Sequence, residues 1–287
     1  MVVAYRPDFK RLQELLEATL PQVDRLVLVD NGLGQVPQRP LPQGVHILEM
    51  GGNRGLARGL NAGIAAAREA GATHVLLLDQ DSVPAADMVK RLLHALATAA
   101  AWRPPVAAAG PLFVDAASGR PGFFVRFGWL APRRVTCVGD ELVPCDFLMT
   151  SGSLIPLSVL DRVGPMDERL FIEHVDTDWY LRAGAAGFQA LGVCGARLSH
   201  ARGEDRVRLW GLELPRHGPS RHYYLFRNSL WLYRRPYAPR RWIVSDLLRN
   251  LGWLLAIVVT HPGRMQQLRA IARGIRAGLR PPAGEGR

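Results

Sequence analysis

Along the first hundred positions, short β-prone runs alternate with longer stretches in which apolar residues recur every three or four places. Met1–Tyr5, Arg25–Val29, Val45–Leu48 and Val75–Leu78 are the short runs, read as strands. Phe9–Leu20 has helical spacing, and Gly55–Ala70 reads as an alanine-rich helix. Strands alternating with helices predict a parallel, doubly wound sheet over residues 1–100, with right-handed crossovers. Beyond residue 100 the pattern is less regular. Val106–Val114, Val135–Val138 and Asp146–Ile155 read as strands, and Leu157–Val163 and Phe171–Ala186 as helices. Gly187 suits the end of the second helix. Ala190–Leu198 is read as the final strand, leading into Ser199 and His200.

Two helices follow. Val244–Val258 keeps apolar residues at Val244, Leu247, Leu248, Leu251, Leu254, Leu255 and Val258, with Ser245, Asp246, Arg249 and Asn250 on the other side. Met265–Leu279 carries Arg269, Arg273, Arg276 and Arg280 at the same spacing.

Composition adds three constraints. A chain of 287 residues, 48% hydrophobic and 21% charged, suits one large domain, or one domain with an appendage, around a sizeable core. Only the tail 281–287 has the composition of a disordered segment. Cys137, Cys145 and Cys194 lack metal-site spacing and leave one over from any pairing, while Tyr5, Arg6 and Asp8 interrupt any secretory signal. A reducing, cytosolic compartment is therefore expected. The net charge of +11 is concentrated: residues 221–287 hold thirteen arginines against Asp246 and Glu285, and residues 1–220 are balanced. A basic module of this kind meets an anionic partner, nucleic acid or a membrane surface.

The candidate chemistry centres on Val75-Leu-Leu-Leu-Asp-Gln-Asp-Ser82. Asp79 and Asp81 end an apolar strand, where open α/β sheets place ligands. Residues two apart in extended chain point the same way, roughly 6.6 Å apart. Such a pair can share a hard cation that holds a diphosphate, or form an acidic turn. Asp30 ends another strand and could accept from a base or ribose, or close an Asx turn with Asn31 and Gly32. Gly51–Gly63 opens a helix and offers either N–H groups for phosphate or small residues for close packing. Glu173, His174, Asp176 and Asp178 crowd six positions. Asp178 and Arg182 have surface ion-pair spacing, and Asp176 is a general base or an N-cap. His200 is a structural histidine or completes a metal site with Asp81.

In this order the motifs resemble those of family 2 inverting glycosyltransferases of the GT-A fold, and among them bacterial rhamnosyltransferases. The resemblance lies in Val3-Ala-Tyr-Arg-Pro-Asp8, Leu28-Val-Asp-Asn31, Asn53-Arg-Gly-Leu-Ala-Arg-Gly-Leu-Asn-Ala-Gly63 and Leu77-Leu-Asp-Gln-Asp-Ser82. It continues in Thr150-Ser-Gly-Ser-Leu-Ile155, Met166-Asp-Glu-Arg-Leu-Phe-Ile172, Val175-Asp-Thr-Asp-Trp179 and Arg221-His-Tyr-Tyr-Leu-Phe-Arg-Asn228. It implies a Rossmann-like, mostly parallel sheet flanked by helices, with a C-terminal amphipathic helical appendage. The implied domain is 1–220, with a nucleotide half over 1–100 and an acceptor half over 101–220. A basic helical region follows over 221–280.

By the same resemblance Tyr5, Asp30, Asn53 and Asp79 hold the donor nucleotide, and Asp81 and His200 hold Mg²⁺ or Mn²⁺. Asp176 is the catalytic base, and Ser151, Gly152, Ser153 and Trp179 lie near donor sugar and acceptor. Arg6 stands where the family often has Asn, and Val175-Asp176 replaces its Glu-Asp, as in rhamnosyltransferases. The first strand opens on Met1 with no lead-in, which points to a start further upstream.

The implied reaction moves a sugar, L-rhamnose from dTDP-rhamnose, to a hydroxyl of a lipid-linked or polysaccharide acceptor in cell-envelope synthesis. Transfer of galactofuranose or a hexose is the alternative, then nucleotidyl transfer, then a non-enzymatic basic membrane or nucleic-acid binder. The arginine-rich end is read as docking on the inner face of the cytoplasmic membrane, through Trp231, Trp242, Trp253, Arg269, Arg273, Arg276 and Arg280, with no nucleic acid partner. Leu251–Val259 is too short an uncharged run to span a bilayer, which asks for about 20 residues.

Overall fold

The computed structural model describes residues 1–34, 40–200, 206–209, 212–215, 218–260 and 263–280. The expected tail 281–287 lies outside them. Chain order begins β1 (Val2–Ala4), α1 (Phe9–Thr19), β2 (Leu26–Asp30), β3 (Val45–Glu49) and α2 (Leu56–Glu69). It continues with β4 (His74–Leu76), β5 (Leu78–Asp79), β6 (Ser82–Pro84) and α3 (Met88–Thr98). Strands β3-β2-β1-β5 form a parallel sheet in that order, as the alternation of strands and helices predicts.

Both faces of the sheet are covered. Leu12, Leu15 and Leu16 of α1 and Met88, Val89 and Leu92 of α3 pack into one core, whereas Ala57, Leu60 and Ile64 of α2 pack into the other. Small residues let α2 lie close. A Cβ on Gly59 would stand 2.8 Å from the Val3 side chain, and one on Gly63 would overlap Met1.

The apolar run Val75–Leu78 is split between two sheets. β4 pairs antiparallel with a later strand, and β5 parallel with β1. Leu77, between them, donates to Ser153 O (3.0 Å) and accepts from Gly152 N (2.7 Å). Val75 and Leu77 enter one core and Leu76 and Leu78 the other, the period-two alternation of a strand buried on both faces.

Next come β7 (Val106–Asp115), β8 (Phe124–Arg126), β9 (Arg133–Val135), β10 (Leu142–Cys145) and β11 (Leu154–Pro156). Then follow α4 (Leu157–Val163), α5 (Val175–Ala185), β12 (Gln189–His200), β13 (Arg206–Leu209) and β14 (Leu212–Pro215). The second sheet has the order β10-β12-β7-β11-β4, with β6 also on β12. Only β7 and β12 pair in parallel there.

Four expectations change. The strand over Asp146–Ile155 is only β11, because Phe147 makes no more than an isolated bridge to Val125 and the chain then turns at Thr150–Ser153, where Gly152 has φ +82°. The helix over Phe171–Ala186 starts at Val175, because Phe171, Glu173 and His174 have φ of 65°, 63° and 61°, outside the right-handed helix. The strand over Val135–Val138 is Arg133–Val135. β12 is not the final strand, since β13 and β14 form a hairpin after it. The cysteines give no support to a reducing compartment: Cys137 and Cys194 are disulfide-bonded, and Cys145 is free and buried.

The chain closes with α6 (Pro219–Leu232), α7 (Arg240–Thr260) and α8 (Arg264–Gly278). α7 is turned inside out relative to an ordinary surface helix. Ser245, Asp246 and Asn250 are only 7%, 3% and 4% exposed, whereas Leu247, Leu251 and Leu255 are 55%, 61% and 48% exposed. The polar side is buried because α6 offers it partners. Asp246 Oδ2 accepts from Ser229 Oγ (2.9 Å), Tyr233 OH (2.8 Å) and Asn250 Nδ2 (3.0 Å).

The tryptophans depart from the membrane-surface expectation. Trp242 is buried against His174 and Tyr233, Trp253 is half-buried against His222, and half-buried Trp231 donates to Arg280 O (2.8 Å). Arg269, Arg273, Arg276 and Arg280 are exposed. By length and composition Arg240–Val259 is also long and apolar enough to cross a membrane, contrary to the reading from its uncharged run alone.

Candidate active site

The parallel strands end on one edge, where β1, β2 and β5 deliver Tyr5, Asp30 and Asp79. Asp30 adopts the Asx turn. Its Oδ1 accepts from Gly32 N and Leu33 N (both 2.8 Å), which leaves Oδ2 for a ligand. Exposed Tyr5 covers Gly32 with its ring and donates its backbone N–H to Gln80 Oε1 (2.7 Å). Asn53 holds the turn before α2. Its Oδ1 accepts from Gly55 N (3.0 Å) and Asn31 Nδ2 (3.3 Å), while Asn31 Oδ1 accepts from Arg54 N (2.7 Å).

The start of α2 is not an open phosphate cradle. Leu56 N and Ala57 N both donate to Phe171 O (2.6 and 3.3 Å), so two of the first-turn donors are taken up within the chain. The close-packing reading of this glycine-rich segment is the one the structure adopts.

Three carboxylates share the cleft. Asp79 is half-buried, and its backbone N–H donates to Ser151 Oγ (3.0 Å). Burial, then the charges of Asp81 and Asp176, push its carboxyl up to about 7, and Arg221 pulls the other way. Burial and the Glu173 charge push Asp176 up to about 6, against hydrogen bonds from the Thr177 and Thr150 backbones. His174, not Asp176, caps α5; Asp176 is the helix's second residue, and its Oδ1 accepts from Thr177 N (2.7 Å). Asp81 Oδ1 lies 3.6 Å from His200 Nδ1, which also meets Ser82 Oγ at 2.8 Å. The β6–β12 register sets Ser82 opposite His200.

The turn Thr150–Ser153 joins these acids from behind. Ser151 and Ser153 are each 1% exposed. Ser153 Oγ donates to Met149 O (2.7 Å) and meets Tyr180 OH at 2.9 Å. Gly152 approaches Pro111 so closely that a Cβ would stand 2.5 Å from its ring. These residues are packed behind the acids, and Thr150 and Ser153 line a small cavity together with Asp176. Trp179 is likewise core, 1% exposed, with its indole N–H on Gly164 O (3.0 Å), and it lines the same small cavity as Asp176. Asp178 is buried, paired with Arg182 (2.9 Å) and bonded by Tyr237 OH (2.6 Å), so this pair is not at the surface.

Sequence reasoning gave no role to three residues that shape the site. Arg221 of α6 bonds Glu173 Oε1 (2.6 Å) and acts on Asp79. Buried Asn228 donates through Nδ2 to Leu170 O, Ile172 O and Glu173 O (3.0, 2.8 and 2.9 Å). Buried His174 meets Ser229 Oγ (2.9 Å). The signals were that Arg221 and Asn228 bound one quoted motif and that His174 stands in the crowded stretch 173–178.

The donor set suits a hard cation bound jointly with a ligand. Among the described residues no three or more His, Cys, Asp or Glu converge to hold a metal by themselves. Asp79 and Asp81 nevertheless repel each other at the strand end, and Asp176 adds to that charge. A divalent cation relieves such repulsion and takes its remaining oxygens from a diphosphate.

Comparison with known proteins agrees with this geometry. Residues 1–102 match the family described as Glycosyl transferase family 2. The chain is 28% identical to the dTDP-rhamnosyl transferase RfbF of Shigella flexneri, over 100% of this chain and 97% of that protein. It is 29% identical to the galactofuranosyltransferase GlfT1 of Mycobacterium tuberculosis, over 99% and 97%. Among solved structures, S. aureus TarS 1–349 in complex with UDP-GlcNAc superposes with a TM-score of 0.56 at 17% identity, covering 96% of this chain and 80% of that one. GalNAc-T7 with UDP, GalNAc and Mn²⁺ superposes with a TM-score of 0.56 at 15% identity, and this chain spans about half its length (53%).

Proposed function

We propose that this chain, a glycosyltransferase with a family 2 domain on the GT-A fold, transfers L-rhamnose from dTDP-rhamnose, with inversion, to a hydroxyl of a lipid-linked or polysaccharide acceptor. The observation that carries the mechanism is the turn Thr150–Ser153, which bonds the Asp79 backbone through Ser151 Oγ (3.0 Å) at the end of the parallel sheet and lines a small cavity with Asp176 at the start of α5. One cleft thus holds a donor side and a base.

Asp30, through its unused oxygen, and Tyr5 bind the nucleoside, and Asp79 its sugar. Asp81, with His200 beside it, would hold Mg²⁺ or Mn²⁺, which when bound offsets the charge of the departing diphosphate. Asp176 accepts the proton of the acceptor hydroxyl. That oxygen bonds to the anomeric carbon from the face opposite the leaving group, and the bond from that carbon to the diphosphate oxygen breaks with its electron pair. Arg221 offsets negative charge in the cleft by its action on Asp79. Galactofuranose is the second reading, supported by the full-length similarity to GlfT1.

Thermal unfolding against nucleotide sugars tests the donor. With Mn²⁺ present and dTDP-rhamnose at a hundredfold excess over Kd, the midpoint rises by about 5 °C or more. UDP-GlcNAc and UDP-galactofuranose leave it unchanged, and Asp81→Ala removes the metal-dependent part of the rise. A rise with UDP-galactofuranose alone assigns the second reading.

The same proposal places the enzyme on the inner face of the cytoplasmic membrane. An exposed leucine strip on a helix whose polar side is already satisfied by α6, beside the arginine-rich α8, supports a surface-lying helix. Joint replacement Leu247→Glu, Leu251→Glu and Leu255→Glu lowers co-sedimentation with anionic vesicles more than tenfold while the melting temperature holds, because these side chains contact little protein. Undiminished vesicle binding by the triple variant removes α7 from the membrane. Deleting residues 240–287 is the poorer test, since it also removes Asp246 from its buried network.

A further inference from the structure

We infer that the groove between α6 and α8 binds the diphosphate of a lipid-linked acceptor. This rests on the glycosyltransferase reading and gives that reading's acceptor a second anchoring point, outside the donor cleft. The groove is an open cavity of about 600 Å³ lined by Ser220, Tyr223 and Tyr224 of α6 and by Arg273, Arg276 and Arg280 from α8 and its end. Its volume falls in the range of small-ligand sites, roughly 300–1,000 Å³, unlike the flat contact that a bilayer surface requires.

Among the described residues its charge is uncompensated: no carboxylate pairs with Arg273, Arg276 or Arg280, whereas Arg182, Arg221 and Arg249 each have one. Three guanidiniums at three- and four-residue spacing on one helical face repel one another, and that arrangement is stabilised by an anion between them. Guanidinium forks match phosphate oxygens two at a time, and the phenols of Tyr223 and Tyr224 add donors. Arg227 backs the aromatic wall, its guanidinium 5.7 Å from the Tyr223 ring and 4.7 Å from the Tyr224 ring.

The position of the groove ties it to the reaction. Tyr224 stacks on Phe171 at 4.9 Å and 14°, and Phe171 O closes the first turn of α2. Arg221, three residues before Tyr224 on the same helix, bonds Glu173 and acts on Asp79. The groove therefore lies across Phe171 from α2 and, through Arg221 and Glu173, beside the segment that leads into α5 and Asp176. The same three helices carry the exposed leucines of α7, which gives an isoprenoid tail an apolar surface on the same module. The donor's own diphosphate is accounted for at Asp79 and Asp81.

Calorimetric titration with farnesyl diphosphate, a water-soluble isoprenyl diphosphate, tests the assignment on the full chain. The double variant Arg273→Gln, Arg276→Gln replaces two exposed side chains, and an unchanged melting temperature confirms its fold. Its Kd for farnesyl diphosphate rises more than a hundredfold, its Kd for dTDP with Mn²⁺ stays within twofold, and its co-sedimentation with phosphatidylglycerol vesicles falls several-fold less than its affinity for farnesyl diphosphate, by the share two arginines give a surface contact. Equal losses for farnesyl diphosphate and vesicles would make the groove a contact for bilayer headgroups and overturn the proposal. Equal losses for farnesyl diphosphate and dTDP would place it in the donor site, and an unchanged Kd for farnesyl diphosphate would remove it. Failure of the donor reading appears separately, as absence of dTDP-sugar binding by the unaltered chain.

Discussion

Asp176→Asn keeps donor binding and loses transfer by about a thousandfold, within the 10²–10⁴ range of a general base. An amide cannot take the acceptor's proton, yet it fits the same space and keeps an oxygen for Thr177 N (2.7 Å in the parent). Two further readouts separate a base from a merely structural aspartate. The parent's kcat/KM falls as pH drops through about 6, because protonated Asp176 cannot act as a base, and that limb is missing from residual turnover by the variant. Stability moves the opposite way to activity. The Asp176 carboxyl rises from an ordinary 3.8 to about 6 on folding, so the folded state binds a proton more tightly than the unfolded chain. Its ionisation therefore destabilises the fold progressively from pH 4 to 6 and by a constant amount above, about 3 kcal/mol. Asp176→Asn is then more thermostable than the parent at pH 8 and nearly equal to it at pH 4. A variant that keeps turnover, or that melts lower at pH 8, contradicts the assignment.

The readable part of this fold was the part whose burial follows chain order. Four short runs, with helices between the first and second and between the third and fourth, point to a parallel sheet, whose order is β3-β2-β1-β5, and a ligand edge follows from where those strands end. Asp30, Asp79 and Asp81 stood out because acids at the ends of buried strands have no packing role there. The division of Val75–Leu78 between two sheets was not legible, since alternation is the same whether a strand pairs with one sheet or passes from one to the other. Helix α6 was hidden for a different reason. His222, Asn228 and Ser229 face inward, and its apolar periodicity is correspondingly weak. α7 was legible as a helix with two unlike sides, but which side meets protein depends on Ser229 and Tyr233, 17 and 13 positions before Asp246. The Arg221–Glu173 pair spans 48 positions, and no local spacing points to it.

The residues just before Asp176 show how far such distant contacts reach into the chemistry. Phe171, Glu173 and His174 all sit at positive φ, a conformation costing roughly 1–3 kcal/mol each for side chains of this size. They stay there because Asn228 Nδ2 collects the carbonyls of Leu170, Ile172 and Glu173, while its Oδ1 accepts from Arg227 Nε (2.9 Å). Asn228→Ala removes the one side chain that gathers these carbonyls, although Leu170 O keeps Arg227 Nη2 and Ile172 N, and costs about 3 kcal/mol, which lowers the melting temperature by about 10 °C. Below that temperature kcat falls about tenfold or more, because the start of α5 and Asp176 shift. The Kd for the donor nucleotide does not change, since Asp30 and Asn53 lie on other elements. Asn228→Asp is the discriminating variant. It preserves shape and the acceptor for Arg227, but an ionised carboxylate has no proton to give three carbonyl oxygens and repels them instead. Aspartate at 228 is therefore at least as damaging as alanine in both melting temperature and kcat. If Asn228→Asp melted and turned over like the parent, the hydrogen bonds from Nδ2 would not be what holds residues 171–174.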